Sequence, residues 1–336
     1  MTRYGDGYRF DEVDLIRRLA SSGQSLCFVG LAGVGKSNLI NRLRDRAQAP
    51  VIFGERAGRI HVAAVKINEW KGTPSHLWQL LLDALQRAVQ DVIAAAPPAR
   101  VVQMDEEERL RARLQTQMQN VCQQNHAIVF LLDDVDLLLE TGPLSLLESL
   151  NALREDYRDQ VSYLLFSKRL PHVLGRRHQV ETKCKFYDLF RHHVYALGPY
   201  NRQDALQMLL HLNQTANAHF SQRDLQPILD LAGGHAGLLK VIFTFWRINR
   251  AFTASGPSLI EALAKEVDVQ EECRRILRSL HPQEARVAAQ IARGSLRPED
   301  APTVDHLCRR GILTRVDPPE WFSPLLPVFL SLQPDS

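Results

Sequence analysis

No hydrophobic run in this chain approaches the roughly 18 residues that a membrane-spanning helix requires, so no bilayer span is expected. Cysteine is sparse: Cys27, Cys122, Cys184, Cys273 and Cys308 are scattered, odd in number and never at CxxC spacing. That pattern argues against a thiolate metal site or a disulfide framework, and it suits a reducing cytoplasm. Charge of one sign is also scarce. With 41 basic and 38 acidic side chains the net charge is only +3 over 336 residues, so the balance alone does not call for a polyanionic partner. The opening stretch MTRYGDGYRFDEVDLIRR lacks the apolar centre of a secretory leader. What remains is an ordinary globular composition, 45% hydrophobic and 24% charged, at a length suited to two or three domains.

One short stretch is far from ordinary. Residues 30–37 read GLAGVGKS. The apolar run SLCFVG at 25–30 precedes it and reads as a buried strand, and KSNLINRLRDRA follows with helical periodicity. A glycine, four residues, then Gly-Lys-Ser between a strand and a helix is the context of a phosphate loop. Gly30, Gly33 and Gly35 let the backbone curl so that its N–H groups converge, and the helix after Gly35 aims its N-terminal donors the same way. Lys36 then reaches β- and γ-phosphates and Ser37 ligates magnesium. The expected nucleotide-binding residues are Gly30, Leu31, Ala32, Gly33, Val34, Gly35, Lys36, Ser37 and Asn38.

A magnesium-bound triphosphate needs an acid, and AIVFLLDDVD at 127–136 supplies several. Ile128–Leu132 reads as a buried strand with acids at its end. Asp133 is the expected metal partner with Ser37, and Asp134 is placed to orient or deprotonate water; alternatively, Asp134 or Asp136 caps the next helix. Further strands are expected at 60–67, 161–167 and 192–198, with helices over 75–95 and from 105 to about 125. Pro97 and Pro98 break the first of these helices. Strands alternating with helices make a mostly parallel sheet covered on both faces, with ligands at the carboxyl ends of its strands. Lys36, Asp133 and Ser167 fall there.

These motifs, in this order, resemble the P-loop ATPases of the AAA+/STAND kind, including the Orc/Cdc6-like initiators. The resemblance extends from about Tyr8 to Leu332. YRFDEVDLIRRLASSGQS resembles the segment before the phosphate loop of that family, and the strand ending in Asp133-Asp134 resembles its magnesium motif with a second acid. LLFSKRLP resembles the strand carrying a polar sensor. By that resemblance Ser167 and Arg169 respond to γ-phosphate, a surface ion pair being the other reading of Arg169. ALGPYNRQDALQMLLH resembles the entry to a helical lid, and LAGGHAGLLKVIFTFW resembles the lid motif, with Ala236 where the family has proline. His235 is then either a nucleotide neighbour or a helix-start residue. Lys240 is a weak second-sensor candidate, and Arg176 and Arg177 are either fingers toward a partner's phosphate or a basic surface turn.

The small and turn-forming residues at 251–259 link the lid onward, EARVAAQIARG reads as a helix, and the stretch from Pro302 reads helix, strand, turn, strand, helix. This resembles a winged helix, often found after the lid in that family. From 273 to 315 there are nine arginines against four acids, among them Arg309, Arg310 and Arg315, which either hold DNA phosphates or pair with acids. The expected fold is α/β: a parallel-sheet P-loop core at 1–200, a helical lid at 201–268 and a winged helix at 269–336. The resemblance implies an ATP/ADP- and Mg²⁺-dependent switch or assembly factor, hydrolysing ATP slowly. It also implies a homo-oligomer, an effector protein and duplex DNA as partners. The alternative is a nucleotide-stabilised DNA-binding or scaffold protein with little turnover. ATP over GTP follows from the resemblance; the chain has no convincing Asn-Lys-x-Asp guanine motif.

Overall fold

The computed structural model describes residue 5 and residues 7–92, 104–249 and 256–333. The expected break at Pro97 and Pro98 and the turn-rich residues 251–255 lie outside the described residues. No helix among the described residues is long and apolar enough to cross a membrane. The chain forms two compact units: residues 10–29 with 37–195, and residues 1–9 with 30–36 and 196–336. The first is an α/β sheet core; the second gathers the phosphate loop, the helices after the sheet and a small hairpin.

Five strands build the sheet: β1 (Leu26–Gly30), β2 (Ile60–Lys66), β3 (Ala127–Asp133), β4 (Val161–Ser167) and β5 (Val194–Leu197). Their order is β2-β3-β4-β1-β5, and the β1–β4, β3–β4 and β2–β3 pairs are parallel. The reason lies in the sequence. The runs of β1, β3 and β4 are apolar on both faces rather than alternating, which suits a strand with helices on both sides. Every residue of β1 and β4 is accordingly buried. Helix Pro74–Val89 lays Leu77, Trp78, Leu81, Leu82 and Leu85 at i, i+3 and i+4 spacing into this core. It begins with proline at its first turn, where a missing N–H costs nothing. The following helix, Glu106–Gln123, starts in a capping box between Asp105 and Glu108, which accounts for the acidic cluster there.

In the second unit the helices Arg202–Thr215, Gln222–Ala232 and Ala236–Ile248 form the region after the sheet, followed by Gly256–Lys265 and Val267–Arg278. The end of the chain runs helix Pro282–Ala292, helix Ala301–Arg309, β6 (Leu313–Arg315), β7 (Glu320–Trp321) and helix Leu325–Ser331. β6 and β7 pair antiparallel. The architecture is therefore a parallel-sheet P-loop core, a helical region, and a small antiparallel sheet of winged-helix form, as the sequence leads one to expect.

The arginine-rich C-terminal stretch is less available to a polyanion than its composition implies. Arg310 is only 4% exposed and pairs with Glu284, whose other oxygen lies 3.0 Å from His306 Nε2. Arg286 pairs with Asp300 at 2.7 Å and Arg309 with Asp305 at 2.6 Å. Of the two readings of Arg310, pairing with an acid is the one observed: its guanidinium is enclosed, and its partner is Glu284 of the same segment. Burial alone would push the Glu284 carboxyl up; the His306 hydrogen bond and the charge and hydrogen bond of Arg310 bring it down to about 2. Its ordinary value is 4.5, so the stabilisation is present above that pH and is lost as pH falls through the folded value. Acid titration of the unfolding midpoint from pH ~5 to ~2 should show a loss of up to about 3 kcal/mol from this group. Glu284→Gln should flatten that part of the profile.

Candidate functional site

The phosphate loop, Gly30–Lys36, leaves β1 and enters helix Lys36–Arg44. Gly33 and Gly35 have φ of 76° and 107°, a region that a side chain disfavours. Space is limiting as well. A Cβ on Gly33 would overlap the Glu272 carboxylate and crowd His235 Cε1 at 2.7 Å, and one on Gly35 would overlap the Tyr200 hydroxyl.

The five carbonyls from Gly30 to Val34 each accept a hydrogen bond. Lys36 Nζ donates to Gly30 O at 2.6 Å and Leu31 O at 2.9 Å. His235 Nε2 lies 2.9 Å from Ala32 O, Gly237 N donates to Gly33 O at 2.9 Å, and Arg9 Nη2 donates to Val34 O at 3.0 Å. Arg9 is itself fixed. Its guanidinium lies 4.6 Å from the Tyr200 ring centre and donates to Gly198 O, while its N–H donates to Asp204.

His235 answers both readings of its sequence. It is the N-cap of helix Ala236–Ile248, with Nδ1 accepting from Leu238 N, and its other nitrogen reaches the loop. Those two bonds assign the proton to Nε2. Full burial pulls the imidazole down to about 3, helped by the charges of Arg275, Lys36 and Arg9 and opposed by the Ala32 bond. Phe322, next to β7, stacks on the ring at 5.6 Å. Lys240 is exposed on the same helix.

In the sheet unit, Ser37 and Asp133 line one cavity of about 500 Å³, with Asn41, Lys66, Glu69 and Arg87 among its walls. Asp133 ends β3 in register with Lys66. Asp134 has φ of 55°, and its carboxylate lies 3.0 Å from Lys168 Nζ. Asp136 accepts from Lys168 N at 3.0 Å and from Arg169 N at 3.3 Å. Neither aspartate caps the next helix: its N-cap is Val135, without a side-chain bond, because both carboxylates turn to the end of β4. Ser167 is fully buried, and its hydroxyl donates to Arg169 O. The Arg169 guanidinium pairs with Glu140 at 3.2 Å. Arg176 and Arg177 sit exposed in the turn Gly175–His178.

Sequence reasoning did not single out Arg9, Tyr200, Lys168, Glu272 or Arg275. Arg9, Lys168 and Tyr200 lie within stretches quoted for the family resemblance, but no role attached to them there, and nothing local distinguishes Glu272 and Arg275 from surface residues of an amphipathic helix.

Replacing His235 by Ala leaves the Ala32 carbonyl and the Leu238 N–H unpaired, at a cost of about 2 kcal/mol in unfolding free energy. His235→Asn should recover part of it. Because the folded imidazole resists protonation, its contribution is intact above its ordinary value of 6.5 and declines as pH falls below it, when only the unfolded chain takes up the proton. NMR of the His235 ring should show no titration between pH 5 and 8.

Residues 17–175 match the family model described as "AAA domain". No curated protein matches the chain. Among solved structures, the Walker-type ATPase of Pyrococcus abyssi is similar at 14% identity and a TM-score of 0.59, over 96% of this chain and 95% of that one. The Aeropyrum pernix ORC2 protein, solved in ADPNP-ADP complexes, is similar at 13% identity and a TM-score of 0.50, over 96% and 92% of the two chains. The stretch that matches the AAA domain thus contains the phosphate loop and both strand-end acids, and the chain nearly throughout shares the fold of a Walker-type ATPase.

Proposed function

We propose that this protein is a Mg²⁺-dependent, ATP-binding and ATP-hydrolysing switch or assembly factor of AAA+/STAND type. The observation that carries the reading is the phosphate loop itself: GLAGVGKS between strand and helix, with its carbonyls engaged from Gly30 to Val34. Carbonyls held this way leave the opposite side of the curl to the N–H groups, which is what an anion requires. The fold shared with a Walker-type ATPase supports it. We assign residues 1–200 to the ATPase core, 201–268 to the lid and 269–336 to the winged helix, and we place the protein in the cytoplasm.

In this reading Gly30–Asn38 surround the phosphates and Lys36 offsets their charge. Ser37 and Asp133 suit Mg²⁺, being hard oxygen donors on one cavity. The ion, when bound, neutralises charge on the phosphates. Asp134 orients the attacking water and accepts its proton; the new bond joins water oxygen to the γ-phosphorus, and the bond to the β,γ-bridging oxygen breaks with ADP leaving. Ser167 and Arg169 respond to loss of the γ-phosphate, and His235 carries the state of the loop into the lid.

A second reading, nucleotide binding with little turnover, is favoured by the Asp134–Lys168 ion pair, which occupies the water-activating acid. An effector protein, a homo-oligomer using Arg176 or Arg177, and duplex DNA on the winged helix are the partners proposed. Arg309, exposed on helix Ala301–Arg309, is the residue to test for DNA.

Calorimetry with Mg²⁺-ATP should give saturable binding that Lys36→Ala weakens by about 10²-fold or more. Asp134→Asn should retain binding and lower turnover by a similar factor. Light scattering with ADP, ATP and a non-hydrolysable analogue tests assembly: growth of a defined species only with triphosphate supports it. An unchanged monomer in every state removes self-assembly as the output.

A further inference from the structure

Glu272 lies outside every motif described so far. It is carried by helix Val267–Arg278, and only 7% of its surface is exposed. Its Oε1 occupies the space that a Cβ on Gly33 or on Gly237 would need. The same oxygen lies 3.8 Å from His235 Nδ1 and 3.5 Å from Arg275 Nη2, and it has no hydrogen-bond partner. Burial pushes the carboxyl up, against the opposing charges of Arg275 and Lys240, with Glu271 adding to the upward shift. A buried carboxylate oxygen without a hydrogen bond is costly and calls for a reason. This one sits against the phosphate loop, at the glycine whose carbonyl the lid helix binds.

We propose that Glu272 is a specificity-determining residue of the nucleotide site, a fixed negative charge behind Gly33 that disfavours triphosphate relative to diphosphate, with Arg275 tempering it. The inference rests on the reading of GLAGVGKS as a nucleotide site. Its physical basis is Coulombic. A triphosphate brings more negative charge to the loop than a diphosphate, and a charge enclosed by protein is screened less than one in water. Glu272 therefore opposes the two ligands unequally. Helix Val267–Arg278 is thereby coupled to the number of phosphates bound, since the ligand that binds against the repulsion is also the one that pushes on the helix.

The test is calorimetric measurement of Kd for Mg²⁺-ATP and Mg²⁺-ADP at pH 8. The proteins are wild type, Lys36→Ala, Glu272→Gln and Arg275→Gln. Glutamine keeps the shape of Glu272 and removes its charge, so Glu272→Gln should tighten ATP relative to ADP by about fivefold. Arg275→Gln should shift the ratio the other way by about twofold, less because Arg275 is half exposed and screened. If Glu272→Gln does not fold, Arg275→Gln still decides the sign. Wild-type binding with an ATP/ADP ratio that neither charge removal moves, or moves in the reverse direction, overturns the role of Glu272 and leaves the nucleotide reading standing. Wild type that binds neither nucleotide, or binding indifferent to Lys36→Ala, overturns the nucleotide reading and this inference with it.

Discussion

A loop that turns its N–H groups toward one point must turn its carbonyls away from it, and those carbonyls need donors. That requirement organises the second compact unit of this protein. Lys36 serves the first two carbonyls of the loop, and His235, Gly237 and Arg9 serve the next three. Each donor has its own anchor. His235 is held by the turn of its helix and by Phe322; Arg9 is held by Tyr200, Gly198 and Asp204. Residues remote in sequence, Arg9 before the loop and His235 and Gly237 after the sheet, are thus the source of the hydrogen bonds to Ala32, Gly33 and Val34. A displacement of the loop by ligand would be felt first by His235 and the N-terminus of helix Ala236–Ile248.

The sheet unit applies the same economy of means to its strand ends. The acids that follow β3 and the basic residues that follow β4 are stitched by Asp136 to the Lys168 and Arg169 amides and by Asp134 to the Lys168 ammonium. In the C-terminal module, charge is again used locally. Arg310, Arg286 and Arg309 each pair with an acid of the same segment, and of the three only Arg310 is buried. A buried pair such as Arg310–Glu284 contributes modestly to net stability, yet removal of one partner leaves an uncompensated charge. Charge-removing substitutions at Arg310 therefore report on folding before they report on any ligand.

Much of the fold was legible because the strands are short apolar runs with helical stretches between them. The expected strand at 161–167 has the bounds observed, and that at 60–67 differs by one residue. The phosphate loop and the acids ending β3 were legible for the same reason: their residues are contiguous and their context is local. Glu272 was not. In the sequence it belongs to VDVQEECRRILR, which reads as an amphipathic helix with a charged face. Only tertiary packing turns that one glutamate inward onto Gly33. The partners of the C-terminal arginines were equally hidden, since composition counts charges without saying which acids lie within reach. Asp134 was read as a water-orienting acid or a cap and Asp136 as a cap, and the structure gives the cap to neither, since their partners, the Lys168 ammonium and the Lys168 and Arg169 amides, follow a strand distant in sequence.

The unit that holds the phosphate loop is assembled from residues 1–9, 30–36 and 196–336. This has a consequence for the protein as it is made. The loop emerges from the ribosome well before His235 and Gly237 exist, and domains generally fold in the order of their synthesis. During that interval the strands of the sheet can pair, but the carbonyls of Ala32 and Gly33 have only water to bind. Nascent chains that end before residue 235 therefore carry GLAGVGKS without these hydrogen-bond partners. The hydrogen bonds that fix the middle of the loop arrive late, with the C-terminal half of the chain.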